Sequence, residues 1–173
     1  MNDLFQILPC VDADAISEIA TRAYQDYYLY LWNDDGSWYI NRSFKPQVIA
    51  EEMQDRNAAY YMLTLNEDPI GFLKLNIDQP LTGYQHLNCI ELERIYLLKS
   101  ASGQGFGRQA MEFCFAFSQE RNKDLIWLKS MDSSDALHFY KRLGFEECGT
   151  FTLDFELMKH EYRGMKVLMK FLS

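Results

Sequence analysis

Apolar and polar positions follow two different periods along this chain. Residues 4–8 form a short apolar run closed by Pro9, which predicts a first strand leading into a helix capped by Asp12 or Asp14. In that helix Ile16, Ile19, Ala20, Ala23 and Tyr24 recur at three-and-four spacing and mark one buried face. The turn-forming stretch Trp32-Asn33-Asp34-Asp35-Gly36-Ser37-Trp38 ends it. Ser43 suits the cap of a second helix, with Pro46 in its first turn and Val48, Ile49 and Met53 at its apolar positions. The period then shortens. Residues 59–65 and 70–77 read as strands, joined by the hairpin-length linker 66–69. After a loop at 78–85 come a longer strand at 87–98, a glycine-rich turn at 102–107, a helix at 106–121 and a strand at 125–129. A helix at 133–143, stopped by Gly144, and two strands at 145–155 and 166–172 complete the pattern.

The order is strand, two helices, three strands, helix, strand, helix, two strands. It implies a mixed sheet with a βαβ unit in its middle, because the glycine turn and its helix separate two strands expected to run parallel. There is no internal repeat, low-complexity tract or interdomain linker. The 173 residues, 48% of them apolar, suffice for a single domain over residues 1–173 with one sizeable core.

Charge and cysteine usage narrow the classes of partner. A formal charge of −8 opposes binding to nucleic-acid phosphates or to an anionic membrane surface and makes a cationic small molecule the easier partner. Cys10, Cys89, Cys114 and Cys148 are scattered, without a CxxC pair or histidines at ligand spacing, so no metal site is expected. The first residues lack the pattern of a secretory leader and no apolar run is long enough to span a membrane; a reducing cytoplasm is the expected setting.

Chemistry concentrates between residues 91 and 146. In Ser102-Gly103-Gln104-Gly105-Phe106-Gly107-Arg108, three alternate glycines bring the backbone within reach of a ligand, and the helix that starts there adds free N–H groups and a positive dipole end. Such a turn binds phosphate. It is neither a P-loop, since no Gly-Lys-Ser/Thr follows, nor a GxGxxG dinucleotide turn. Taken with Leu92-Glu93-Arg94-Ile95-Tyr96-Leu97 before it, Trp127-Leu128 after it, and Ala136-Leu137-His138-Phe139-Tyr140-Lys141-Arg142-Leu143-Gly144-Phe145-Glu146, the segment from Leu87 to Glu147 resembles the GNAT superfamily of acetyl-CoA-dependent N-acetyltransferases.

That resemblance implies a mixed, mostly antiparallel sheet of about seven strands splayed at the acetyl-CoA site and flanked by about four helices. It also implies that main-chain N–H groups of Ser102, Gly103, Gln104, Gly105, Phe106, Gly107 and Arg108 take the CoA pyrophosphate. Ile95, Tyr96 and Leu97 would hold the pantetheine arm as a pseudo-strand, and Tyr140 would approach the CoA sulfur, where a phenol can protonate a departing thiolate. Two positions depart from the family. Ser102 stands where Gln or Arg is usual, and Ser133, in Asp132-Ser133-Ser134-Asp135, stands where many relatives carry Asn before the tyrosine helix.

The base and the acceptor site are read from residue type and spacing. Glu93 and Glu91 lie two apart on a strand, hence on one face, and either carboxylate suits removal of the proton an amine must lose, Glu93 being the first choice; an ion pair with Arg94 or a lysine is the alternative use. Asp34, Asp35 and Trp38 supply acidic and aromatic groups to hold an ammonium. The expected activity is direct transfer from acetyl-CoA to a primary amine, a polyamine or other small cationic amine. A protein or peptide acceptor and a non-catalytic acyl-CoA sensor remain the alternatives. The closing strand at 166–172 is available to pair or exchange in a homodimer.

Overall fold

A computed structural model describes residues 3–173. The chain opens with strand β1 (Phe5–Pro9) and helix α1 (Ala13–Tyr27), whose cap is Asp12: its carboxylate accepts the Ala15 N–H at 3.1 Å. Two short helices follow in place of the one expected, α2 (Ser37–Phe44) and α3 (Pro46–Met53). Ser43 is therefore inside a helix and not its cap; its side chain is buried, and Pro46 opens α3 after Lys45. The remaining elements are β2 (Ala58–Leu65), β3 (Asp68–Asn76), β4 (Cys89–Leu97), α4 (Phe106–Glu120), β5 (Leu125–Met131), α5 (Ala136–Arg142), β6 (Glu146–Thr152) and β7 (Gly164–Phe171). The hairpin between β2 and β3 is tighter than its composition suggests. Asn66 and Glu67 both take positive φ, +52° and +73°, and Asp68 already pairs with Leu65.

These strands form one sheet in the order β1-β2-β3-β4-β5-β7-β6. Every neighbouring pair is antiparallel except β4 and β5, which are parallel and joined through α4, as the βαβ reading requires. Strand β7 lies between β5 and β6 with both edges engaged, so the free edges are β1 and β6 and a dimer cannot form by simple addition to β7. One core, with Leu63, Leu73, Leu75, Ile90 and Leu92, packs under Met111, Cys114 and Phe117 of α4. A second covers the opposite face, where Ile16, Ile19, Ala20 and Tyr24 of α1 meet Tyr60, Met62 and Phe72. Among the described residues no helix is long and apolar enough to cross a membrane.

Candidate active site

The site is made by a parting of strands. Strands β4 and β5 pair only at Cys89↔Leu125, Ile90↔Ile126 and Glu91↔Trp127. Beyond Glu91, β4 continues against β3 to Leu97 while β5 continues against β7 to Met131, leaving the β5-facing edge of β4 open. A register break sits at the same place: Leu75 faces Leu92 and Lys74 faces Arg94, so Glu93 is the extra residue of a β-bulge. The bulge shifts the inward phase from Ile90 and Leu92 to Ile95 and Leu97 in the core under α4, and Glu91, Glu93 and Arg94 all line a cavity at the split.

Two spaces meet there. The first, about 280 Å³, is walled by Tyr24, Trp32 and Tyr39, by Glu91, Glu93 and Arg94, by Lys129 and Met131, and by Phe155 and Met158. The second, about 720 Å³, is a groove between the glycine turn and the start of α5, bordered by Leu97, Ser102, Gly103, Gly105, Gly107, Arg108, Ser133 and Arg142. Tyr28, Ile95, Tyr96, Ala136 and Tyr140 belong to both. Tyr140 thus stands at the junction, its ring against Phe139 and Phe145 at centroid distances of 5.3 and 5.7 Å. Burial, with Tyr28 and Cys114 adding to it, pushes its phenol well above the usual tyrosine value, so it keeps its proton at neutral pH.

The glycine turn has the geometry of an anion seat. Gly103 and Gly105 hold φ of +73° and +86°, a region that favours glycine, and a Cβ on either would meet only open space. The first helical bond of α4 runs from Gln109 N–H to the Gly105 carbonyl, so the N–H groups of Phe106, Gly107 and Arg108 before it have no helical acceptor. Open room, free donors and the nearby Arg108 and Arg142 fit a diphosphate. The side chains of this turn are otherwise engaged. Ser102 Oγ donates to the Lys99 carbonyl at 2.8 Å, Gln104 Nε2 to the Ser100 carbonyl at 3.1 Å, and Arg108 pairs with Glu112 at 3.3 Å. The Phe106 ring is buried and stacked on Phe5, leaving only its backbone for a ligand. Ser133 shares a 2.9 Å hydrogen bond with the Tyr30 hydroxyl across the groove.

The two glutamates differ. Glu93 is ion-paired with Lys74 Nζ at 2.5 Å, and Lys74 also reaches Glu52 at 3.0 Å. Arg94 donates to the same Glu52, at 3.0 and 3.4 Å, and to Tyr60 at 3.2 Å. Burial alone would raise the Glu52 carboxyl, but Arg94, Tyr60 and Lys74 outweigh it and hold it below its ordinary value. Glu91 has no ion pair among the described residues. It is buried, accepts Asn76 Nδ2 at 2.9 Å, and has a carboxyl raised by burial and, less, by Glu93.

The acidic loop is placed differently from the expectation. Asp34 accepts the N–H groups of Gly36 at 3.1 Å and Trp38 at 2.8 Å, capping α2, and Asp35 takes φ +57° in the same turn. Neither lines the cavity, and nor does Trp38. Trp38 packs instead on Trp32 and Phe155, which do, with Arg42 5.3 Å above its ring. The loop builds the wall from behind. Phe155 and Lys129 reach the cavity from distant sequence, and nothing in the local pattern marked them.

Comparison with known proteins settles the ancestry of this arrangement. Residues 14–145 match the acetyltransferase (GNAT) family. The chain belongs to the GNAT family. An uncharacterized N-acetyltransferase of Lactobacillus delbrueckii subsp. lactis is 28% identical over 112 residues, 64% of this chain and 65% of that protein. One of Methanocaldococcus jannaschii is 24% identical over 140 residues, 79% of this chain and 57% of that protein. The chain thus spans less than two thirds of the length of these relatives. The fold is shared with the PaiA N-acetyltransferase of Thermoplasma acidophilum in complex with coenzyme A (TM-score 0.74, 15% identity, 99% of both chains). It is also shared with the spermidine N-acetyltransferase of Vibrio cholerae (TM-score 0.69, 16% identity, 98% of this chain and 94% of that one). The GNAT fold expected from the sequence, a seven-stranded, mostly antiparallel sheet split at its centre, is the one observed.

Proposed function

We propose that this chain is a single-domain N-acetyltransferase that moves an acetyl group from acetyl-CoA to a primary amine by direct attack. The observation that carries the reading is the junction at Tyr140, where a groove headed by an anion seat meets a separate cavity holding a buried, unpaired carboxylate. The free N–H groups of the glycine turn would seat the diphosphate of CoA, and the open edge of residues 95–97 would hydrogen-bond its amide arm. When bound there, the thioester supplies the electrophilic acyl carbon.

Glu91 is the base in this proposal. Glu93 is held in an ion pair with Lys74, whereas Glu91 has only a neutral amide as partner and is free to turn to an incoming amine. Glu91 takes the amine proton directly or through one water. The amine nitrogen bonds to the acyl carbon, the carbon–sulfur bond breaks, and Tyr140 gives its proton to the leaving sulfur. Ser133 borders the groove as a contact for the amide arm. A small amine suits the aromatic walls from Tyr24, Trp32 and Tyr39. The narrower reading of a polyamine gains less support, because Asp34 and Asp35 lie outside the cavity and Glu93 is neutralised in place.

The test is an acceptor panel of polyamines, aminoglycosides, amino acids and peptides with acetyl-CoA, read by thiol release. Release with a primary amine is expected. If no amine yields thiol while acetyl-CoA still raises Tm, the chain binds acyl-CoA without turning it over and the transferase reading fails.

A further inference from the structure

Counting charge around the acceptor cavity leaves two groups unmatched. Glu93 is taken by Lys74 and Arg94 by Glu52. Glu91 remains on one side of the split and Lys129 on the other. Lys129 stands two residues beyond Trp127, the partner of Glu91 across the last pair of the β4–β5 ladder, so both side chains rise from the same sheet face. Its ammonium lies 5.8 Å from the Trp127 ring centre and 4.1 Å from that of Phe151. Among the described residues no carboxylate is within ion-pairing distance of it, Glu91 included. Yet Lys129 is near enough to favour the ionised form of Glu91. A cation and a carboxylate thus border one cavity without an ion pair between them.

We infer that the acceptor is an amino carboxylate of the amino-acid type, with Lys129 holding its anionic group while Glu91 receives its amine. This rests on the transferase reading above. A polycation entering the cavity would meet the Lys129 ammonium as a like charge in a partly desolvated space, which is costly. A molecule whose carboxylate lies a few bonds from its amine matches both groups at once. The far wall, Leu31, Leu153, Phe155, Met158 and Met165, is apolar and offers a place for an apolar side chain. The structure therefore points to an apolar amino acid as acceptor and to Lys129 as the residue that sets specificity.

The experiment compares kcat/KM for L-phenylalanine and L-methionine with that for L-phenylalaninamide, phenethylamine and spermidine at saturating acetyl-CoA, in the wild type, Lys129→Gln and Lys129→Glu. Loss of a charged hydrogen-bond partner should cut the acid-to-amide ratio on the order of 10- to 100-fold in Lys129→Gln, and further in Lys129→Glu. Comparing that ratio between proteins cancels the different basicity of the two amines. Retained stabilisation by acetyl-CoA shows that the variants fold. Amides or spermidine accepted better than either amino acid by the wild type would overturn the inference and leave the transferase reading standing. So would a ratio that moves in neither variant. No thiol from any amine would remove the transferase reading, and the inference with it.

Discussion

At the residue scale the proposed mechanism turns on two protons. Glu91 could serve as its base only when ionised, and burial raises its carboxyl. The acidic limb of kcat/KM should therefore fall above the usual carboxylate range, with activity rising as pH climbs through it. Glu91→Gln keeps an acceptor for Asn76 but cannot take a proton, so kcat should drop about 10²- to 10⁴-fold and that limb should vanish. The stability effect has the opposite sign. A carboxyl whose folded pKa is raised opposes folding wherever it is ionised, above its unfolded pKa, so the variant should melt higher than the wild type at pH 8, with the difference shrinking toward pH 4. A structural carboxylate would lose stability on the same change. Tyr140→Phe preserves the ring packed on Phe139 and Phe145 and removes only the acid. Its kcat should fall by a similar factor while acetyl-CoA still raises Tm, and a variant with full turnover would reduce Tyr140 to packing.

At the scale of elements the split between β4 and β5 does the positioning, and its neighbours hold it open. Gly71 of β3 sits opposite Leu97, and a Cβ there would run into the Tyr96 carbonyl oxygen and crowd Leu97. Gly71→Ala should cost about 1–3 kcal/mol by overpacking, a fall in Tm of several degrees, and should weaken acetyl-CoA binding because residues 95–97 border the groove. Calorimetry with and without acetyl-CoA separates the two effects. This level explains what the sequence could reveal. The three-and-four spacing of Ile16, Ile19, Ala20, Ala23 and Tyr24 and the alternate glycines at 103, 105 and 107 are local signals, and α1, α4 and the glycine turn lie where those signals put them. The bulge at Glu93 is a property of pairing with Lys74 and Leu75, so it leaves no mark on β4 alone. Asp34 resembles a ligand residue because a helix cap and an ammonium seat use the same carboxylate; its bonds to Gly36 and Trp38 became visible only with the backbone of α2 in place. Lys129 and Phe155 join the cavity through tertiary packing from strands and loops far from the acidic turn.

For the whole molecule, the net charge of −8 is a poor guide to the cavity. Around the split, Glu52, Glu91 and Glu93 are balanced in number by Lys74, Arg94 and Lys129, so the acidic excess lies elsewhere on the surface. Long-range attraction would act on any free polycation, but it does little to a zwitterion, whose own charges cancel at a distance. Ionic strength separates the two cases. Between about 0.01 and 0.15 M salt the screening length shrinks from about 30 Å to about 8 Å, which strips away steering by remote charges while leaving short contacts in a partly buried cavity largely intact. KM for an accepted amino acid should stay within about twofold across that range, and KM for any polyamine the enzyme turns over should climb steeply. Steady-state kinetics at fixed, saturating acetyl-CoA measures both. An amino-acid KM that rises in step with the polyamine value would show that remote carboxylates, and not the Glu91–Lys129 pair, govern entry to the site.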